Sequence, residues 1–222
     1  TYYGVVGDGV TDDTTALQAL FDNSRGEVTL RAGTYLISTA LFVNATKLRK
    51  INGNGATIVV NGDITALDIK GSTTDDASPS YEGECRIAHA GFVLENLKIT
   101  SNDDTKGLGV ELTACFKPTI KNCYIYHIKD GIVMHTNRDV TIDGNNIYQC
   151  SGSGICFANN ASVHQCNITS NHISWSHNCI LFDTPAQINN IQIVGNDIEI
   201  GHGYPVDDNC CIKMTASATN TI

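Results

Sequence analysis

Ile142-Asp-Gly-Asn-Asn-Ile147, Ile168-Thr-Ser-Asn-His-Ile173 and Ile193-Val-Gly-Asn-Asp-Ile198 share one form, Ile-x-x-Asn-x-Ile. Two earlier stretches vary it: Leu94-Glu-Asn-Leu-Lys-Ile99 and Ile120-Lys-Asn-Cys-Tyr-Ile125. Their first residues lie 26, 22, 26 and 25 positions apart. Between them runs a second series: Val110-Glu-Leu112, Ile132-Val-Met134, Ile155-Cys-Phe157, Ile180-Leu-Phe182 and Ile212-Lys-Met214. Its spacings are 22, 23, 25 and 32. Each member reads as a short strand, apolar at its ends and variable in the middle.

A period of this length, holding about three short strands, is one coil of a stacked solenoid. The Leu-x-x-Leu-x-Leu signature of leucine-rich repeats is absent. One coil cannot bury its own apolar face. Coils stacked about 4.8 Å apart pair every strand with the next and close one continuous core. Asn suits the bend, because it tolerates the left-handed conformation and its amide can hydrogen-bond along the stack. The fold expected is all-β: a right-handed, single-stranded parallel β-helix of about seven coils. At the N-terminal end, Thr11-Asp12-Asp13-Thr14 can cap a helix whose apolar stripe is Ala16, Leu17, Leu20 and Phe21. Such a helix would cover the open end of the stack, where strand edges invite aggregation. The chain reads as a single domain over residues 1–222, with a cap at 1–23 and coils at 24–222. Ser217 to Ile222 reads as the start of another coil, so continuation beyond 222 or a covering partner is expected.

Composition narrows the function. The formal net charge of −9 argues against a nucleic-acid surface, which needs a basic stripe, and against docking on anionic lipid. No apolar run approaches the roughly 18 residues of a membrane span, so membrane insertion is not expected. No signal peptide is visible after Thr1. Most of the nine cysteines sit inside apolar strand patterns, as in Gly154-Ile155-Cys156-Phe157, and read as small buried hydrophobes. That usage fits folding in a reducing cytosol.

Residues Tyr3-Gly-Val-Val-Gly-Asp-Gly-Val-Thr-Asp-Asp-Thr-Thr-Ala-Leu-Gln-Ala-Leu20 resemble the opening signature of the pectate-lyase-like superfamily, and Ala32-Gly-Thr-Tyr-Leu-Ile37 resembles its first coil. The superfamily includes polygalacturonases, lyases and the tailspike depolymerases of bacteriophages. The resemblance implies a chain that binds or cleaves polysaccharide. Fold alone does not carry chemistry; that rests on the residues of the site.

Strand alternation places the middle residue of the second series outward. Coil by coil that column reads Asp68, Glu111, Val133, Cys156, Leu181, Lys213. Two residues on, a parallel column reads Lys70, Thr113, His135, Ala158, Asp183, Thr215. Asp68 stacked on Glu111, with Lys70 and His135 beside them, suggests paired catalytic carboxylates. Adjacent coils approach the ~5–5.5 Å carboxyl separation of retaining glycosidases, and mutual repulsion is expected to raise one pKa for a general acid. The insertion from Gly71 to Gly91 would wall the groove. The alternative is two solvated acids on an exposed ladder.

A second cluster is Gly201-His202-Gly203 followed by Asp207-Asp208-Asn209. It resembles two polygalacturonase motifs, whose aspartates protonate the leaving oxygen and activate water while the His assists. Here the two motifs occur in reverse order, and the Asn-Thr-Asp element is missing. Asp183 and Lys213 are candidates to join this site; a plain Gly- and Asp-rich turn is the alternative. Tyr126 and Tyr148 share an outward column that can stack on sugar rings, or form an ordinary strand surface. Trp175 aligns with His127, Gln149 and Ile200 in a column read as inward core. No cofactor is expected; calcium, used by some pectate lyases of this fold, would fall to Asp75-Asp76 or Asp207-Asp208.

The expectation is a polysaccharide depolymerase, a glycosidase before a lyase, within a homotrimeric phage tailspike assembled in the host cytoplasm and carried on the virion tail. The alternatives are a secreted or cell-surface carbohydrate enzyme and a non-catalytic receptor-binding or structural solenoid.

Overall fold

The computed structural model describes residues 3–71, 91–183, 187–200, 209–215 and 219–221. It is a right-handed parallel β-solenoid of about seven turns with one short helix. Every strand pairing among these residues is parallel.

Each turn contributes a strand to three faces. One face is an eight-stranded sheet running from Asp8–Asp12 to Asp197–Glu199; it is called the tyrosine face below. The next holds Leu41–Asn44, Thr65–Lys70, Leu108–Thr113, Asn178–Phe182 and Cys210–Met214; it is called the glutamate face. The third, the rear face, begins at Gly26–Thr29 and ends at Thr219–Thr221. Asp130–Asp143 and Ser153–Thr169 run unbroken from the glutamate face onto the rear face, merging the two into one 14-stranded sheet.

The core is built from columns of like residues, one from each coil. On the rear face Val28, Ile51, Leu94, Ile120, Ile142 and Ile168 stack in register. On the tyrosine face the column is Ile58, Ile99, Ile125, Ile147 and Ile173. These residues are 0–1% exposed, so each contributes about 1.5–3 kcal/mol of apolar burial. The cysteines fill the same interior: of the eight described, six are buried and two are intermediate. Burial pushes the thiols of Cys150 and Cys166 up to about 12, so they pack as neutral hydrophobes.

The bend into the tyrosine face departs in part from expectation. Asn96 and Asn122 do take the left-handed conformation, with φ of 57° and 51°. In the three later repeats the preceding residue takes it instead: Gly144, Ser170 and Gly195, at 64°, 57° and 67°. The following Asn is then free to turn along the stack. Asn145 N and Nδ2 both donate to Asn171 Oδ1 at 2.9 Å, and Asn171 N and Nδ2 donate to Asn196 Oδ1 at 2.9 Å. The amide ladder forms as expected, one residue past the left-handed position.

The helix spans Thr14–Asn23 and buries Thr14, Leu17, Leu20 and Phe21, while Ala16 is only half-buried. Its N-cap, Asp13, makes no side-chain capping bond. Its buried carboxylate instead accepts the Val6 and Gly7 amides at 2.6 and 2.9 Å, tying the entering loop to the helix start. The segment ahead of the helix already belongs to the solenoid, because Asp8–Asp12 pairs with Thr34–Ile37. At the other end, Thr219–Thr221 pairs with Gln187–Val194 and so opens a further coil. No described helix is long and apolar enough to cross a membrane.

Candidate functional site

On the glutamate face the register places Asp68, Glu111, Val133, Cys156, Leu181 and Lys213 directly opposite one another, strand by strand. The long gap between Asp68 and Glu111 causes no slip. Lys70 and Thr113 are likewise paired in the neighbouring column. The side chains of Asp68, Lys70, Glu111 and His135 are each between 24% and 36% exposed.

These four form one patch across three coils. His135 Nε2 lies 2.7 Å from Glu111 Oε1. Thr65 Oγ1 donates to Glu111 Oε2 at 3.2 Å. Lys70 Nζ stands 3.9 Å from Asp68 Oδ2. Of the two carboxyls, Glu111 is not a raised one. The His135 hydrogen bond holds the Glu111 carboxyl below its ordinary value, with smaller help from Thr65 and Lys70, and outweighs burial. Glu111 is therefore an ionised carboxylate at neutral pH and is not suited to the general-acid role.

Farther along the column, Val133 and Cys156 are 7% and 9% exposed although they point away from the core. Glu111 and Lys213 are four strand spacings apart, about 19 Å. The structure therefore does not join Lys213 to the Glu111 patch. Asp183 follows Asn178–Phe182 and bonds through its amide to Phe157 O at 2.9 Å. His202, Asp207 and Asp208 lie outside the described residues, as do Asp75, Asp76 and most of the Gly71–Gly91 insertion. Among the described residues no group of three His, Cys, Asp or Glu side chains is placed to hold a metal ion.

The tyrosine face carries a second feature. Tyr126 and Tyr148 are register partners, with rings 5.5 Å apart and nearly parallel at 7°. Tyr124 packs against both, at 4.9 and 5.4 Å. A hydrogen bond with Tyr124, aided by burial, pushes the Tyr148 phenol up to about 12. Trp175 is the correction here: it is 46% exposed. The alignment with His127 and Gln149 holds, since all three sit at φ of 50–54°. That left-handed turn interrupts strand alternation, so two successive side chains leave the core and only the residue after them returns. Ile128 and Cys150 are those returning residues, both 0% exposed. Period counting cannot see such an interruption.

Around Trp175 lies a groove of about 340 Å³, lined by Tyr124, Asn146, Tyr148, Gln149, His172, Ser174, Trp175 and Glu199. Tyr148, Ser174 and Glu199 succeed one another in register. The small Ser174 between two longer neighbours makes the hollow. On its wall the Asn146 Oδ1 is buried and accepts no hydrogen bond from the described residues. His172 Nε2 is 2.8 Å from Ser174 Oγ, and its Nδ1 is 3.2 Å from Asp197 Oδ2.

Residues 32–222 match the family described as "right handed beta helix region". No curated protein sequence matches the chain. Among solved structures it resembles ORF18 of Geobacillus virus E2, with a TM-score of 0.70 and 16% identity over 89% of this chain and 41% of that one. It also resembles the A-module of the Azotobacter vinelandii mannuronan C-5 epimerase AlgE4, with a TM-score of 0.58 and 17% identity over 89% of this chain and 66% of that one. The chain thus spans less than two thirds of either structure. At these identities the likeness establishes a shared fold.

Proposed function

The chain belongs to the right-handed β-helix family, and from that premise we propose that it is a polysaccharide-degrading domain that hydrolyses glycosidic bonds on its glutamate face. The observation that carries this is the contact of Glu111 with His135 beside Asp68 and Lys70, on three successive coils.

In this reading Glu111, kept ionised, orients the His135 ring through their hydrogen bond. His135 delivers the proton to the leaving oxygen. Asp68, with Lys70 alongside, supplies the carboxylate that attacks the sugar carbon; water then releases the product and returns its proton to His135. Lys70 and His135 also favour a second reading. A cation and a base on one patch suit elimination from a uronate, where the base removes the proton beside the carboxyl and the cation neutralises that carboxyl.

The test is incubation with bacterial capsular and O-antigen polysaccharides and with pectins. New reducing ends and new double-bond absorbance are followed together. Hydrolysis predicts reducing ends alone, lost about 10²–10⁴-fold in Asp68→Ala and Glu111→Gln and retained in Asp208→Ala. Both signals rising together mean elimination. If Asp208→Ala alone abolishes cleavage, the site moves to the His202, Asp207 and Asp208 loop with Asp183 and Lys213. Binding without cleavage makes the chain a recognition module.

The proposed setting is a homotrimeric phage spike on the virion tail, supported by the buried thiols, which suit assembly in a reducing cytoplasm. A solution mass of three chains would bear on it directly.

A further inference from the structure

We infer that the groove around Trp175 is a separate, non-catalytic binding site for a neutral saccharide, on the tyrosine face rather than the glutamate face. Its floor is Ser174, set between Tyr148 and Glu199, register neighbours on either side. Those neighbours are two strand spacings apart, about 10 Å, which leaves room over Ser174 for a sugar ring. At about 340 Å³ the groove falls at the lower end of the ~300–1,000 Å³ range of ligand clefts.

The lining has the chemistry of sugar recognition. Trp175 and Tyr148 offer apolar ring faces to the C–H side of a pyranose, while Asn146, Gln149 and Glu199 present hydrogen-bonding groups to its hydroxyls. The indole is held outward by a backbone turn at φ 53°, although an indole facing water is unfavourable. Charge selects the class of sugar. Among the described residues no Lys or Arg lines the groove, Glu199 does, and His172 is engaged by Asp197. A uronate polymer would meet repulsion there, and a neutral hexose would not. The inference does not depend on cleavage at Glu111.

Trp175 is the only tryptophan in the chain, so indole emission reports this groove alone. The probes are malto-, cello-, manno- and galacto-oligosaccharides, with oligogalacturonate as the charged comparison. A saturable emission change is expected with at least one neutral oligosaccharide. It should fall at least tenfold in affinity in Tyr148→Ala and stay unchanged in Glu111→Gln. Calorimetry on Trp175→Phe should show the same weakening, and the unliganded emission of Tyr148→Ala checks that the variant is folded. No change with any neutral probe, a response to oligogalacturonate alone, undiminished binding in folded Tyr148→Ala, or loss in Glu111→Gln would each overturn the assignment.

Discussion

Glu111 is ionised because of what touches it. Alone on a strand beside Asp68 it would resist ionisation; the His135 ring at 2.7 Å reverses that. A carboxylate held below its ordinary value stabilises the folded state once charged. The contribution is complete above the unfolded value of 4.5 and is lost as pH falls through the lower folded value. Glu111→Gln should therefore cost about 1 kcal/mol at neutral pH, allowing for solvent screening of a partly exposed pair. Melting temperatures of the two proteins across acid pH should differ at neutral pH and converge below pH 4.5. A constant gap down to strongly acid pH would mean that His135 does not set the Glu111 charge.

Among the elements, the bends are as structured as the strands. Asn171 is 2% exposed and bonds in both directions along the stack, to Asn145 and to Asn196, and its Nδ2 also donates to Ile142 O at 2.9 Å. Asn171→Ala strands the Asn145 amide and the Ile142 carbonyl inside a bend closed to water. The expected loss is about 1–3 kcal/mol, read from the denaturant midpoint. Asn102→Ala, at an exposed bend residue outside the left-handed region, is the comparison and should cost less. Equal losses would show that the ladder adds nothing beyond the turn itself. The glycine column at the entry to the glutamate face is equally constrained. A Cβ on Gly131 would sit 2.4 Å from Gly154 O, so the coils stack there only without side chains.

For the whole molecule, stability is a sum of coil-to-coil interfaces, and the ends differ from the middle. Tyr124–Ile128 and Asn146–Cys150 are paired on both sides. Asp8–Asp12 and Thr219–Thr221 are each paired on one side only among the described residues. Amide exchange should be slowest in the central strands, with protection falling toward both ends. Uniform protection would mean that the solenoid opens as one unit rather than from its ends.

The repeat was legible in the sequence because a solenoid writes its period into the chain. Every coil must present apolar residues at the same place, so Ile120, Ile142 and Ile168 announce both the core and the register, and the Asp68 and Glu111 pairing followed from counting alone. Two things required the folded chain. The ionisation of Glu111 depends on the His135 rotamer that meets it from the adjacent strand, and on Thr65, 46 residues earlier in the sequence. The exposure of Trp175 depends on a left-handed backbone turn that a non-glycine residue adopts only because the coils above and below hold it there. Periodicity carries information about which residues repeat; side-chain contacts and local backbone turns are settled only when the coils pack.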